Sequence, residues 1–359
     1  MDSDMNRILQ EDIARFAADF ALWEYLRGRR IVITGATGLL GSCLVRCLLA
    51  LNEQYSLALQ VVSVVRSRTK AYRMFGEETV AHRVIVHDFA SGEPFLPGKE
   101  ADFLIHLAAP TASKDFIEHP AETLTTVVDS TKSVLEYARQ HRLQSLVYVS
   151  TLEVYGTIDD DSRAIDEQMQ GYLNPMDARS SYPMGKRAAE CLCYAYFSEY
   201  ETPVKTTRLA QTFGAGVHRT DGRVFAHFAR SIINNEDIVL HTRGELCRSY
   251  CYTMDAVSGI LYVLLCGKDG EAYNIANERT YISIRAMAEE VLRVFRPTRK
   301  VVLNLQEGLG YSPTTKLRLD TTKIRSIGWQ PRYELREMFS RLIESLREDG
   351  YGQDIQAHS

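Results

Sequence analysis

The stretch "ITGATGLLG", residues 33–41, has the pattern of a strand, a glycine-rich turn and the start of a helix. Gly35, Gly38 and Gly41 lie between an apolar run and a helical segment that begins near Leu39. Glycines at this spacing let the backbone turn tightly and approach a pyrophosphate, which then meets the positive end of the helix. A purely structural turn can have the same three glycines. We predict a dinucleotide-binding loop made of Gly35, Thr37, Gly38, Leu39, Leu40 and Gly41.

The segments around this loop alternate between strand and helix patterns. Short apolar runs separated by helical segments read "IVITG", "VVSVV", "VIVHD", "FLIHLAA", "LVYVST" and "VKTTRLA". Such alternation is typical of a parallel sheet covered by helices on both faces. This alternation of strand and helix patterns ends after about Phe213. The predicted fold class is therefore α/β, a Rossmann-type doubly wound parallel sheet with a smaller C-terminal α/β substrate lobe.

The same patterns divide the chain into four segments. We expect an N-terminal helical extension at 1–27, a dinucleotide-binding Rossmann domain at 28–212, a mainly substrate-binding lobe at 213–350 that returns segments to the Rossmann domain, and a flexible tail at 351–359. Apolar residues of the extension recur at helical spacing, which predicts packing on the main domain or on a second subunit. Its polar face is not lysine-rich, which disfavours a membrane-surface role.

Composition excludes several classes of partner. The 359 residues are 45% apolar and 25% charged, enough to bury a large core. A net charge of -4, without basic runs interleaved with aromatics, predicts no binding to nucleic acid or to an anionic membrane. No apolar run reaches the roughly 18 to 20 residues that span a bilayer, and the start of the chain is unlike a signal peptide, so we expect a cytoplasmic protein. The seven cysteines lack zinc-site spacing, and we interpret them as reduced thiols and expect no metal.

Further cofactor contacts are predicted at the ends of other strands. Asp88, followed by Phe89, ends "VIVHD", where a side chain can meet the adenine amine. Arg66 follows the second strand, where an acid commonly holds the ribose hydroxyls of the unphosphorylated cofactor. An arginine there suits a 2′-phosphate, although a solvent-exposed arginine without any cofactor role remains an alternative. We predict tightly bound NAD or NADP, with a slight preference for NADP. The "HLAA" segment adds Leu107, Ala108 and Ala109 to the cofactor site.

Tyr182 and Lys186 lie one helical turn apart in "SYPMGK", so both side chains share a helix face. A lysine ammonium near a phenol favours phenolate and lowers the pKa of the tyrosine toward the working pH. Such a tyrosine is a base for a hydroxyl whose carbon gives hydride to nicotinamide. The spacing alone is common by chance. The spacing indicates an active site because the same chain also has the glycine loop, "HLAA", and Ser150 and Thr151 at the end of the next strand.

At these motifs the chain resembles the extended short-chain dehydrogenase/reductase family, and within it the nucleotide-sugar epimerases, dehydratases and decarboxylases. The resemblance covers roughly residues 28–340. It is most similar to the UDP-glucuronate decarboxylases, also called UDP-xylose synthases. The segments that carry this similarity are "HLAAPTASKDFIEHPAETL", "STLEVYG", "NPMDARSSYPMGKRAAE", "DGRVFAHFARSII" and "RSYCYTMDAVSGI".

The resemblance implies a role for each motif residue. Thr151 and Tyr182 would bridge the sugar 4-hydroxyl, Lys186 would hold the nicotinamide ribose, and Glu153 would act at the sugar ring. Arg248 would meet the nucleotide diphosphate. A nucleotide-diphosphate sugar as substrate and a homodimer are implied as well. Glu153 as a loop anchor and Arg318 as a surface ion-pair residue remain alternatives. The implied substrate contacts are Pro110, Ser150, Arg179, Gln211, Arg223, Arg248 and Arg318.

Several positions depart from the family pattern. Val127 and Gln211 each occupy a position where the family usually has asparagine, and residues 213–215 read "FGA" in place of "YGP". Leu152 replaces a small polar residue beside Glu153. These changes surround the expected substrate position, so the resemblance defines the fold better than the substrate.

The Leu152-Glu153 pair bears on the reaction. Dehydratases that eliminate water across C5 and C6 have an aspartate acid before the glutamate, and Leu152 cannot donate a proton. Simple 4-epimerases need no carboxylate near C5. Transient C4 oxidation followed by decarboxylation therefore fits best, with an epimerase of the same fold as the alternative. A non-catalytic cofactor sensor is disfavoured because Thr151, Tyr182 and Lys186 are all present.

Overall fold

The computed structural model describes residues 5–98, 100–111, 113–306 and 315–351. Its strands within these ranges are β1 Arg30–Thr34, β2 Gln60–Val65, β3 His82–Val86, β4 Phe103–His106, β5 Ser145–Thr151, β6 Val204–Leu209, β7 Gln211–Phe213, β8 Ile238–Leu240, β9 Cys247–Tyr252, β10 Ala272–Ile275, β11 Asn277–Ser283, β12 Val301–Leu303 and β13 Lys316–Leu317. Its α-helices are α1 Arg7–Asp19, α2 Leu39–Tyr55, α3 Arg68–Phe75, α4 Ser113–Glu118, α5 Pro120–His141, α6 Ser181–Tyr200, α7 Val224–Asn234, α8 Thr253–Cys266, α9 Ile284–Phe295, α10 Thr322–Ser326 and α11 Leu335–Glu348.

A seven-stranded sheet forms the centre of the molecule, in the order β10-β6-β5-β4-β1-β2-β3. All of its neighbouring strands are parallel. The chain runs outward from β1 in one direction through β2 and β3, and in the other through β4, β5 and β6. Every residue of β6 and all but the last of β5 are buried, as expected for strands covered on both faces. The predicted doubly wound α/β fold is confirmed, and the strand order reverses between β1 and β4.

After β6 the chain forms a second, smaller set of strands. β9 pairs with β7, β11 and β13, while β8 pairs with β12. The chain returns to the main sheet through β10, which pairs with β6. The strand β7 spans the predicted boundary at 212/213, and the division of the chain into domains stays a prediction. The tail beyond Tyr351 lies outside the described residues.

Helix α1 packs against α2, α8 and α11 of the same chain. Its apolar side chains follow the helical period, and Asn6 caps the helix by accepting hydrogen bonds from two backbone N–H groups. Of the two packing partners that the periodicity predicts, the main domain is therefore the one observed, because the apolar face is covered within the chain. The buried apolar residues of the helix are Ile8, Leu9, Ile13, Phe16 and Ala17.

The described residues lack both membrane-spanning helices and metal-binding clusters. No helix there is both long and apolar enough to cross a membrane. The same part of the chain holds no cluster of three histidine, cysteine, aspartate or glutamate side chains arranged to bind a metal ion.

Candidate active site

The carboxyl ends of three neighbouring strands meet at one edge of the sheet. Thr34 ends β1, His106 ends β4 and Thr151 ends β5. The crevice at this edge, beside a reversal of strand order, is where doubly wound sheets bind their ligands. The N-terminal turns of α6 bring Tyr182 and Lys186 to the same region. The topology thus collects residues that are up to 152 positions apart in the sequence.

The glycine-rich turn is shaped for close approach. Gly35 has a φ of +67°, and a Cβ at this position would lie 2.9 Å from the backbone nitrogen of Ala108. A Cβ on Gly41 would collide with the carbonyl oxygen of Gly35. Gly38 caps α2 and has no side chain to accept hydrogen bonds from the first-turn N–H groups, which leaves them for an anion. This cradle fits the pyrophosphate of a dinucleotide.

Thr34 joins the glycine turn to the "HLAA" segment. Its hydroxyl oxygen accepts hydrogen bonds from the backbone N–H groups of Leu107 and Ala108, each at 3.2 Å, and lies 2.7 Å from His106 Nδ1. Burial, with a smaller effect of the Lys186 charge, lowers the pKa of His106 to about 3, so the imidazole is neutral. Our sequence interpretation missed Thr34 and His106. The sequence feature that could have identified both is a polar residue at the end of an otherwise apolar strand.

The predicted adenosine contacts lie at the ends of β2 and β3. Asp88 follows β3 and accepts a hydrogen bond from the backbone N–H of Ala90 at 3.1 Å. The ring of Phe89 packs edge-on against His87, with ring centroids 4.6 Å apart. Arg66 directly follows β2 and is exposed. These positions agree with the expected location, and the cofactor contacts themselves stay predictions.

The structure brings Thr151, Tyr182 and Lys186 together. Tyr182 is buried, and the side chain of Thr151 is near enough to its phenol to act on the pKa of the tyrosine. Lys186 is buried, and its Nζ donates a hydrogen bond to the carbonyl of Val149 at 2.8 Å. That Nζ lies 5.9 Å from the centre of the Tyr182 ring. A hydroxyl, a phenol and an ammonium group thus share one buried corner of the site.

The electrostatics of this corner differ from the sequence expectation. Burial and the Glu153 carboxylate raise the pKa of Tyr182, while the Thr151 hydrogen bond and the Arg179 charge lower it by less. Burial thus outweighs the nearby lowering effects in the protein alone, and the lowering expected from Lys186 stays a prediction for the cofactor-bound enzyme. Burial also lowers the pKa of Lys186 to about 8, against the opposing charge of Glu190.

Glu153 forms a salt bridge with Arg179 at 2.9 Å, with side-chain exposures of 23% and 14% respectively. The Arg179 guanidinium lies 5.0 Å from the centre of the Phe116 ring. The same ring also stacks in parallel on Tyr182, with centroids 4.3 Å apart. Our sequence interpretation missed Phe116, which no local motif indicates. Glu153 is thus linked to the tyrosine through Arg179 and an aromatic stack, while Leu152 beside it is buried.

Two of the predicted substrate contacts meet in the C-terminal strands. Arg248 on β9 donates a hydrogen bond from Nη1 to the side-chain oxygen of Gln211 on β7, at 3.3 Å. Its Nε is buried and has no hydrogen-bond acceptor among the described residues. An arginine with a donor left over in this way is suited to an anionic ligand.

Other predicted contacts have different surroundings. Arg223 forms an ion pair with Asp221 at 2.5 Å, and Arg318 donates to the carbonyl of Ser162 at 3.5 Å. The Oγ of Ser150 is buried with no hydrogen-bond partner in the described part of the chain. Pro110 follows the "HLAA" segment and is half-buried. The structure does not bring Arg223 and Arg318 to Arg248 through any described hydrogen bond or ion pair.

Known proteins match this chain over most of its length. Residues 31–276 match the NAD dependent epimerase/dehydratase family. UDP-glucuronic acid decarboxylase 5 of Arabidopsis thaliana is 30% identical over 319 residues, which are 89% of each chain. A UDP-glucuronic acid 4-epimerase from Bacillus cereus, solved with UDP-glucuronic acid and NAD, superposes with a TM-score of 0.71 at 20% identity, covering 89% of this chain and 99% of that one.

A second solved structure has the same fold. The dTDP-glucose 4,6-dehydratase from Streptomyces venezuelae, solved with NAD bound, superposes with a TM-score of 0.72 at 24% identity, over 89% of this chain and 97% of that one. The cofactor of the family is NAD, and the preference for NADP that we infer from Arg66 stays a prediction. The doubly wound sheet, the glycine cradle and these matches together show that the chain belongs to the NAD dependent epimerase/dehydratase family.

Proposed function

We propose that this enzyme decarboxylates a nucleotide-linked uronic acid, with UDP-glucuronate as the best candidate, through transient oxidation at C4. The observation that carries the proposal is the position of Glu153, which is linked to Tyr182 through Arg179 and Phe116 and is preceded by the buried, apolar Leu152. This arrangement offers a carboxylate near the sugar without the acid that elimination of water requires.

Relatives support the choice of reaction. UDP-glucuronic acid decarboxylases of Arabidopsis thaliana and Xenopus tropicalis are 30% and 28% identical, each over 89% of this chain. The Bacillus cereus neighbour is named for 4-epimerisation of UDP-glucuronic acid. Epimerisation of the same substrate is therefore the second candidate function, and it predicts a product of unchanged mass.

The chain's own residues handle the protons at C4. Tyr182 takes the proton of the sugar 4-hydroxyl, with Thr151 bridging the two oxygens. NAD, which the cradle of Gly35, Gly38 and Gly41 would hold, would supply reversible hydride transfer at C4. The raised pKa of Tyr182 in the protein alone means that the phenolate requires added positive charge, which Lys186 provides when its Nζ turns from the Val149 carbonyl toward the bound ligand.

A carbonyl at C4 makes the C6 carboxylate a β-keto acid, so the C5–C6 bond breaks and its electron pair moves toward the C4 oxygen. Carbon dioxide leaves, and C5 then needs a proton. We assign the relay of that proton to Glu153, whose side chain is 23% exposed and can exchange protons with water. Arg179 keeps this carboxylate paired.

The test is to incubate the purified protein with NAD and separate UDP-, GDP-, CDP- and dTDP-linked sugars, including UDP-glucuronate, and to measure product masses. Loss of carbon dioxide from UDP-glucuronate supports the proposal. An unchanged mass with altered chromatographic mobility identifies an epimerase, and loss of water identifies a dehydratase. A protein that changes none of the sugars contradicts the proposed function.

We also propose that the enzyme is a homodimer. Helices α5 and α6 pack on each other and present exposed apolar or aromatic residues, including Leu124 at 38% and Tyr194 at 60% exposure. Such faces are suited to a two-fold contact. A monomer by light scattering at micromolar concentration, with full activity, would contradict this.

A further inference from the structure

The helix α1 precedes residues 31–276, which match the family, and it carries a buried carboxylate. Asp12 is fully buried on the otherwise apolar face of this helix. The hydroxyl of Tyr252 donates a hydrogen bond to one carboxylate oxygen, and the Nε of Arg341 forms an ion pair with the other at 2.6 Å. Packing alone would be served by an apolar residue, because burying a charge is unfavourable unless its partners are held in place.

Tyr252, the partner of Asp12, controls a turn in the C-terminal strands. It ends β9 and pairs with Phe213 of β7. Its hydroxyl accepts a hydrogen bond from the backbone N–H of Ala215 at 3.3 Å. Its ring covers Gly214 so closely that a Cβ there would lie 2.6 Å from a ring carbon. The phenol therefore fixes the turn that follows β7 from two sides.

The same two strands carry the substrate contacts proposed above. Arg248 lies four residues before Tyr252 on β9, and Gln211 lies two residues before Phe213 on β7. Their side chains touch at 3.3 Å, so the relative position of the two strands sets the geometry of the pair.

We propose that Asp12 is a positioning residue for the nucleotide sugar: through Tyr252 it holds β7 and β9 in the register that places Gln211 and Arg248 against the nucleotide diphosphate. The inference rests on the proposed function, which assigns Arg248 to that diphosphate. It gives the N-terminal extension a role in substrate affinity, in addition to covering apolar surface.

Helix α11 completes the linkage. Arg341 on this helix also donates a hydrogen bond to the carbonyl of Ile8 at 3.1 Å. The hydroxyl of Ser345, one turn later, accepts from the backbone N–H of Gly216 at 3.2 Å, and its carbonyl accepts from Asn6 at 2.8 Å. The start of α1, the end of α11 and the turn after β7 are therefore held as one unit.

A merely structural role predicts a different response to mutation, which a matched pair of variants measures. Asp12→Asn removes the charge, whereas Ile13→Ala removes apolar packing from the adjacent residue and keeps the carboxylate. We expect Asp12→Asn to raise KM for UDP-glucuronate by about fivefold, the equivalent of one hydrogen bond, with kcat changed less than about twofold. Ile13→Ala should lower Tm at least as much and leave KM unchanged.

Tyr252→Phe tests the same linkage by removing the hydroxyl that donates to Asp12. It should raise KM similarly, and adding Asp12→Asn to it should cause little further change, because both substitutions act on the same contact between positions 12 and 252. Equal KM changes in Asp12→Asn and Ile13→Ala at matched Tm loss, or fully additive effects in the double variant, would overturn the proposal.

Hydrogen exchange supplies a readout that needs no substrate. In Asp12→Asn the backbone amides of 211–215 should exchange faster than in the wild type, whereas Ile13→Ala should leave them slow. If no nucleotide sugar is turned over, the proposed function fails while this comparison still decides the linkage. Unchanged exchange at 211–215 in Asp12→Asn would refute the positioning role.

Discussion

The edge of the central sheet and the C-terminal strands contribute differently to the site. At the sheet edge, Thr151, Tyr182 and Lys186 come together because one strand end and one helix carry all three. In the C-terminal strands, Gln211 and Arg248 meet only because β7 pairs with β9. The proposed chemistry thus depends on local order around a strand end, while the proposed recognition of the substrate depends on how distant segments pair.

Among the substitutions at the edge of the sheet, Tyr182→Phe should cause the largest loss of activity. Removing the phenol oxygen deletes the proton acceptor but keeps the ring that stacks on Phe116. We expect kcat to fall by about a hundredfold to ten-thousandfold, with folding and NAD binding retained. Kinetics with UDP-glucuronate, together with circular dichroism, would measure both.

Tyr194→Phe is the matched control for this prediction. Tyr194 lies on the same helix and is 60% exposed, so loss of its hydroxyl should leave turnover unchanged. Wild-type kcat in Tyr182→Phe would remove the tyrosine from the mechanism.

Glu153→Gln separates oxidation from decarboxylation within the same half of the site. The substitution keeps the size of the side chain but cannot relay the proton to C5, so formation of the decarboxylated product should slow by about tenfold to a hundredfold. Oxidation at C4 should continue, and transient absorbance of reduced nicotinamide would report it. Decarboxylation at the wild-type rate would leave Glu153 as a loop anchor that holds Arg179.

The substrate half is tested by comparing Arg248→Ala with Arg223→Ala. Arg248 has a buried Nε without a described acceptor, whereas Arg223 already pairs with Asp221 at 2.5 Å. Loss of a charge-assisted hydrogen bond to the diphosphate should raise KM by about tenfold in Arg248→Ala, with kcat nearly unchanged. We expect a smaller rise in Arg223→Ala. A larger effect of Arg223 would show that it leaves Asp221 when the substrate binds.

Sequence patterns could place the residues at the sheet edge for a physical reason, and the roles of these residues stay predictions. The glycine spacing, the strand-end residues and the Tyr182–Lys186 turn are local features, and local backbone geometry places them. Phe116 and Arg179 were harder to place, because their contacts depend on tertiary packing. Phe116 of α4 stacks on the first turn of α6, and Arg179, just before α6, forms an ion pair with Glu153. No single segment encodes such a contact.

The N-terminal extension also shows that sequence patterns do not predict tertiary contacts. Periodicity predicted a helix with an apolar face, and the structure has that helix. Periodicity left open whether that face packs on the main domain or on a second subunit, and only the tertiary structure shows that α2, α8 and α11 of the same chain cover it. The significance of Asp12 depends on Tyr252, 240 residues away.

The smallest predicted effect is a pH dependence of stability that originates at Asp12. Burial raises the pKa of this carboxyl from an ordinary value of 3.8 to about 6, against the lowering effects of Tyr252, Arg341 and Arg15. The folded protein therefore holds this proton more tightly than the unfolded chain does. Stability from this source is full below about pH 4 and is lost as the pH rises through about 6.

The groups that face Asp12 do not titrate in this window. Burial raises the pKa of Tyr252 and raises that of Tyr333 to about 12, while Arg341 and Arg15 remain cationic. Asparagine at position 12 is neutral throughout. The difference in Tm between Asp12→Asn and the wild type should therefore shift in favour of the variant by about 2–5 °C between pH 4.5 and pH 7.5. Because the remaining ionisable groups are shared by both proteins, their contributions cancel in this difference. A difference that stays constant across the range would mean that Asp12 binds its proton equally well in the folded and unfolded states, and that the ion pair with Arg341 fully offsets its burial.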